Sequence, residues 1–542
     1  MHYTCRALII GGEVWGRFYG DSLFRKIAEN RSCAVTTRFP PAKLLSYILH
    51  APSRGFHMLL GFVFLYLLVT IAIGLWAARR VKNTADYAIA GRHLPLIMIV
   101  TTTFATWFGS ETVLGIGAKF VQGNLGSVVE DPFGAAFCLI FVGLFFAGKL
   151  YKQTLLTISD YYRQRFGTIV EILCSIIIMV SYLGWVAAQV TALGLVFNIL
   201  SAGSISFEWG MVIGVASILI YTLFGGMWSV AVTDFIQMIV LVVGLSIIAV
   251  MAADMAGGAD KVIAYAQSKD MLKFWPPATM KDMLFFFAAG ITIMLGSIPQ
   301  QDVFQRVMSA KDVKAATRGP VIGGICYLLF AFVPMFLVVA ALMILPEATT
   351  ELLKGDTQKI LPTLVLEKMP LIAQIIFFGA LLSAIKSTAS ATLLAPSVTF
   401  VENIYKHFNK HMDDQQTLKA MRVTVLLFSV FVLGYAMASR GTKIYDMVSG
   451  AYQVTLVGAF IPLVFGLYWK RATTQGAIAS IVLGVGTWLL FMTAPGWSEV
   501  FPQQLAGILA AFAGMIAGSL LPQKVGNHLG HVHHFAGSPE RS

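Results

Sequence analysis

The chain has 542 residues, of which 57% are hydrophobic and only 12% are charged. So few charges cannot cover the apolar surface of a soluble protein of this length. The composition indicates a polytopic α-helical membrane protein; a β-barrel would show ten-residue alternating segments instead. The formal net charge of +12 does not call for nucleic acid, because Lys and Arg gather in short loops, as cytoplasmic loops of membrane proteins do.

Residues 1–56 form a basic amino-terminal extension with no span. Residues 1–55 hold eight Lys/Arg against three Asp/Glu. The extension is either disordered or a mis-assigned start, with Met58 the natural beginning. The first apolar run, "MLLGFVFLYLLVTIAIGLWAA" (58–78), exceeds the roughly 18–20 residues that cross a bilayer. About thirteen spans are expected over 57–521, starting near 57, 94, 131, 168, 207, 226, 282, 318, 368, 418, 444, 474 and 502. With thirteen, the basic segments "ARRVKN" (78–83), "YYRQR" (161–165), "QRVMSAKDVKAATR" (305–318), "YKHFNKH" (405–411) and "WKR" (469–471) share one side. The positive-inside rule then puts the amino end outside and the carboxyl tail, 522–542, in the cytoplasm. A bacterial inner membrane is the expected location. The tail's "HLGHVHH" reads as solvated rather than metal-binding, and the five cysteines show no CxxC or metal spacing.

Two spans are interrupted in a related way. "TTTFATWFGSETVLGIGAKF" (101–120) carries small and polar residues in mid-membrane, and "FAAGITIMLGSIPQQDVFQR" (287–306) carries Gly296 and Pro299 before a polar run. Each opens a five-span group, about 94–252 and 282–469. Broken helices at matching places in two halves point to an inverted-repeat transporter. Unwound backbone in a membrane is tolerated where it lines a cavity or holds a ligand.

The motifs "AGRHLP" (90–95), "FATWFGSETVLG" (104–115), "YTLFGGMWSVAVTDFIQ" (221–237), "GSIPQQDVFQRVMSA" (296–310), "LSAIKSTASATLL" (382–394) and "VENIYK" (401–406) follow in order. Together, over roughly 57–520, they resemble the solute:sodium symporter family, with the high-affinity choline and proline-type carriers the nearest-looking branch. The resemblance implies a leucine-transporter-type core of two inverted five-helix repeats. It implies sodium as coupling ion, no other cofactor, and a small organic solute: an amino acid, zwitterion or quaternary amine. Carried over by motif, the sodium ligands would be the carbonyls of Ala105, Phe108 and Ala384 and the hydroxyls of Ser387 and Thr388. Oxygen donors suit a hard cation. The alternative for Ser387 and Thr388 is a bond back to the i−4 carbonyl within their own helix. Asp234, in "TDFIQ", is a candidate for the ion's exit path or for a salt bridge with a loop Lys or Arg.

For the substrate, Trp107 and Trp185 are candidate cage walls, although a lone Trp is commonly interfacial or packing. Gln300 stands where a choline-type carrier would have an aromatic, and Glu111 and Asp302 are departures from that branch. An amide with carboxylates suits an amino acid or related zwitterion. Gln301 and Asp131 complete the candidates for binding or gating. Lys386 lies inside an apolar segment, where a charge costs at least about 2.5–3.5 kcal/mol. By helical geometry it points away from Ala384, Ser387 and Thr388. A buried pair with Glu111, Asp131, Asp234 or Asp302 is expected. The alternatives are a snorkelling side chain and replacement of sodium, which would give a proton-coupled or ion-independent carrier. A transporter-like sensor acting with a partner kinase is a second class of function. No HExxH, GxSxG or paired His/Asp cluster supports an enzyme. The oligomeric state is left open.

Overall fold

The computed structural model describes residues 53–525. The expectations for the amino-terminal extension and the histidine-bearing tail therefore lie outside the described residues.

Apolar runs free of charge leave the backbone no solvent partner, so each closes its own hydrogen bonds as a helix. The principal helices are α1 (Ser53–Ala78), α2 (Leu96–Trp107), α3 (Gly117–Gln122), α4 (Leu125–Tyr151), α5 (Ile158–Phe166), α6 (Thr168–Leu200) and α7 (Phe207–Met255). There follow α8 (Met280–Gly296), α9 (Gln301–Ser309), α10 (Val313–Ile344), α11 (Leu371–Phe400), α12 (Asp414–Ala438), α13 (Ile444–Tyr468), α14 (Thr474–Thr493) and α15 (Gln503–Leu520). The chain is all-α among the described residues. Its one isolated bridge pairs Leu94 with Ala310, tying the entry of α2 to the exit of α9.

Ten of these helices are long and apolar enough to cross a membrane, and eleven if the bent pair α8–α9 is one span. The expected thirteen is two more. It requires α7 to be two passes and α2–α3 to be one broken pass. At about 1.5 Å per residue α7 is more than twice the thickness of a hydrocarbon core, about 30 Å. It also breaks at Gly226 (φ 46°, ψ −136°). A Cβ there would stand 2.3 Å from the Tyr87 carbonyl oxygen, so glycine is required at this bend.

Both interruptions seen in the sequence are present. α2 ends at Trp107, Phe108 leaves helical geometry, and a wide-turn segment, Glu111–Ile116, leads into α3. α8 and α9 are bent by 45° across their break. α11 packs along α6 and α7 and also touches α2 and α9, so it borders both interruptions.

Candidate ion and substrate sites

α11 is rich in hydroxyls, and their partners separate structural from functional ones. Thr392, Ser397 and Thr399 donate to the carbonyls of Thr388, Leu393 and Ala395, four residues back, at 2.8, 2.9 and 3.1 Å. Such bonds are the usual fate of Ser and Thr in membrane helices. Ser387 and Thr388 do otherwise. Thr388 Oγ1 reaches α2, where the carbonyl oxygens of Thr106 and Ala105 lie at 2.8 and 3.5 Å. Ser387 Oγ donates to Asp234 Oδ1 on α7 at 2.5 Å, and Thr102 Oγ1 of α2 donates to Asp234 Oδ2 at the same distance. All of these groups are buried. Three hydroxyls, a carboxylate and the last carbonyls of a terminating helix therefore converge along the end of α2.

Of the five sodium ligands expected, Ala105, Ser387 and Thr388 meet in this cluster. Phe108 closes α2, and Ala384 lies one turn before Thr388 on α11. Asp234 belongs to the same cluster, held by hydroxyls, and no loop Lys or Arg makes a salt bridge to it among the described residues. Gly109 admits the approach of the helices. A Cβ there would lie 2.5 Å from Glu111 Oε2, 2.6 Å from Thr388 Oγ1 and 3.0 Å from Gln189 Oε1.

A second cluster lies beside the break. The rings of Trp107, Trp185 and Tyr452 stand 5.2–5.7 Å apart, with Trp107 and Tyr452 stacked. Tyr182 stacks on Trp185 at 6.1 Å. Glu111 is saturated: Trp185 Nε1 donates to one oxygen at 3.0 Å and Gln189 Nε2 to the other at 2.6 Å. Gln189 Oε1 accepts the Ser110 amide at 3.0 Å, a backbone group freed by the break. Asp302, at the start of α9, accepts from the Tyr182 hydroxyl at 2.5 Å, and its own amide donates to that hydroxyl at 2.8 Å. Gln300 Nε2 donates to Ser181 Oγ at 2.8 Å.

Other candidates sit apart from these rings. Gln301 is not paired with the aromatic groups; its Oε1 accepts the Ile158 amide at 2.8 Å and fastens α9 to the start of α5. Asp131 accepts from the hydroxyl of Tyr327, which also meets Thr112 Oγ1 at 2.9 Å.

The expected carboxylate partner of Lys386 is not found among the described residues. Lys386 Nζ donates to Thr70 Oγ1 of α1 at 2.6 Å and stands 5.5 Å from the centre of the Tyr221 ring. The helical geometry explains this correction. Residues 386, 387 and 388 point in three directions, toward α1, α7 and α2 respectively. Of the four expected partners, Glu111, Asp234, Asp302 and Asp131 each bond to other groups. Snorkelling is also excluded, because Lys386 is fully buried.

Sequence patterns did not single out Tyr452, Thr102, Tyr182, Gln189 or Arg306. Gln189 carries a legible signal, an amide inside an apolar span. Tyr452 lies well within α13, where an interfacial tyrosine has no reason to be. Arg306 falls in a run that reads as a basic loop, yet it is buried; its Nη1 donates to the Asp302 carbonyl at 2.7 Å and its Nε to that of Thr102 at 3.4 Å.

Residues 87–484 match the model of the sodium:solute symporter family. The human high affinity choline transporter 1 is 27% identical over 458 residues, covering 80% of this chain and 76% of the transporter. The high-affinity proline transporter PutP of Bacillus subtilis is 28% identical over 472 residues, covering 84% and 96%. The sodium/pantothenate symporter of Escherichia coli is 26% identical over 479 residues, covering 84% and 96%. Among solved structures, a Na+-coupled sialic acid symporter in a substrate-bound, outward-open state superposes with a TM-score of 0.76 at 20% identity, over 85% of this chain and 97% of that one. MhsT in complex with L-phenylalanine superposes with a TM-score of 0.54. The fold is thus that of the leucine-transporter-type sodium symporters, and with most of its length matched the chain belongs to the sodium:solute symporter family.

Proposed function

We propose that this integral membrane protein is a secondary active transporter that moves a small organic solute together with sodium by alternating access. The observation that carries the reading is the behaviour of Ser387 and Thr388. Both spend their hydroxyls on α7 and α2 instead of on their own helix. Neutral hydroxyls and helix-end carbonyls beside a carboxylate form an oxygen site suited to a hard monovalent ion. In this reading the ligands are the Ala105, Phe108 and Ala384 carbonyls and the Ser387 and Thr388 hydroxyls. Asp234 stands at the ion's departure route. The solute occupies the neighbouring aromatic cluster, where Trp107 and Trp185 are joined by Tyr452. Binding at the junction of α2, α6, α9, α11 and α13 couples the two, because both ligands hold the same broken helices.

Lys386 bonds to α1, away from these oxygens, so the ion-independent alternative finds no support in its position. We read the chain as a transporter and not an enzyme, as its family members are named. We place it in a bacterial plasma membrane, with the basic loops facing the cytoplasm, since two relatives that it covers over 96% of their length are bacterial symporters or transporters by name. The test is uptake into proteoliposomes under an imposed sodium gradient, using a panel of radiolabelled amino acids and amines. The reading predicts accumulation that collapses when sodium is replaced by potassium. Accumulation of a solute with equal rate in potassium would overturn it.

A further inference from the structure

Among the carboxylates beside the broken helices, Asp302 is the one with a buried oxygen that has no partner among the described residues. Glu111 has both oxygens bonded, and so has Asp234. Asp302 has only Oδ1 engaged, by Tyr182, while Oδ2 is fully buried and has no partner among the described residues. The neighbouring Arg306 gives its Nη1 to the Asp302 backbone carbonyl; its charge acts on the carboxylate without a hydrogen bond to it.

A second acceptor beside it is unpartnered for a reason that can be traced. Ser181 Oγ donates its one proton to the Ile178 carbonyl at 2.6 Å, so toward Gln300 it can only accept. Gln300 must therefore present its amide nitrogen to Ser181. Its carbonyl oxygen Oε1 is left buried and unpartnered, two residues from Asp302 at the same break. Across the cluster, two groups that can donate are also unpartnered, Trp107 Nε1 and the Tyr452 hydroxyl. Trp107 and Tyr452 are stacked at 5.7 Å, and Asp302 is tied to the same rings through Tyr182, which stacks on Trp185.

Buried acceptors left empty are unfavourable, and a ligand that fills them is selected over one that cannot. A cation with N–H groups, packed against aromatic faces, satisfies Asp302 Oδ2 and Gln300 Oε1 together. A quaternary ammonium offers the same charge and the same attraction to the rings but no donor. We propose that the solute is a protonated primary or secondary amine of the amino-acid type, with Asp302 and Gln300 receiving its N–H groups and Trp107 Nε1 and the Tyr452 hydroxyl receiving its carboxylate. This rests on the symport reading above and narrows the solute to a class that excludes quaternary amines.

The test uses the purified full-length chain in sodium, with thermal stability and tryptophan fluorescence as readouts. The probes are glycine, proline, γ-aminobutyrate and ethanolamine, each beside its fully N-methylated counterpart. At least one parent compound is expected to bind, with its methylated counterpart weaker by about tenfold or more. Asp302→Asn, or Gln300→Leu if the first variant folds poorly, should weaken the parent by a similar factor while the response to sodium alone persists. A methylated member that binds as tightly as its parent overturns the proposal, as does a panel in which no N–H-bearing member binds. The symport reading fails separately, if sodium alone has no effect relative to potassium.

Discussion

Three consecutive side chains on α11 divide the work at the centre of the molecule. Ser387 reaches α7, Thr388 reaches α2, and Lys386 reaches α1. Removing both hydroxyls, by Ser387→Ala with Thr388→Ala, takes two oxygen donors from the proposed ion site. The sodium concentration for half-maximal uptake should rise about tenfold or more, since each lost bond to a charged group is worth ~1.5–3 kcal/mol. Sodium titration of gradient-driven uptake reads this directly. Lys386 makes the opposite prediction. Its partners are a hydroxyl and a ring, neither of which carries a neutralising charge. Thr70 Oγ1 keeps a second bond to the Leu67 carbonyl at 2.9 Å when the ammonium is gone. Lys386→Met, of similar length, should leave sodium dependence unchanged and the melting temperature equal or higher, because buried charges replaced by apolar groups are often neutral or stabilising. A mutant that gained or lost sodium dependence would return Lys386 to the ion site.

At the scale of helices, the informative places are where they stop. The break after Trp107 frees the Ser110 amide, which Gln189 takes, and brings Gly109 against Thr388 and Glu111. The break before Gln301 sets Gln300 against Ser181 and Asp302 against Tyr182, both on α6. The sequence announced both breaks, because Gly, Pro and hydroxyl residues have few other reasons to occupy the middle of an apolar run. It could not announce what each side chain meets across the gap. Lys386 is the clearest instance: its direction on the helix was legible, but its partner belongs to α1, some 316 residues earlier in the chain. Gly226 tests the geometry of α7. Its φ is 46°, and an added Cβ would stand 2.3 Å from the Tyr87 carbonyl oxygen, so alanine has no room there. Gly226→Ala should cost about 1–3 kcal/mol from backbone strain alone. Thermal unfolding in detergent should show a clear fall in melting temperature.

For the molecule as a whole, family, helical class and paired interruptions could be read from ordered motifs and composition. The proposed sodium set was readable in part: Ala105, Ser387 and Thr388 converge and Asp234, picked out by its motif, joins them, while Thr102 and Tyr452 entered their clusters through packing that no local pattern encodes. Tyr452 stacks with Trp107 and lies 5.2 Å from Trp185, so in the proposed cage it would supply the third aromatic wall that Gln300 does not, while Gln300 contributes a buried acceptor. In the proposed mechanism, coupled transport depends above all on sodium binding where α2 ends against α11. Equilibrium binding of radioactive sodium to the purified protein, set beside the Ser387→Ala, Thr388→Ala double variant, measures that event itself. Saturable binding is expected in the native chain, displaced by unlabelled sodium and not by potassium, and lost in the variant. Undiminished sodium binding in a folded double variant would contradict it.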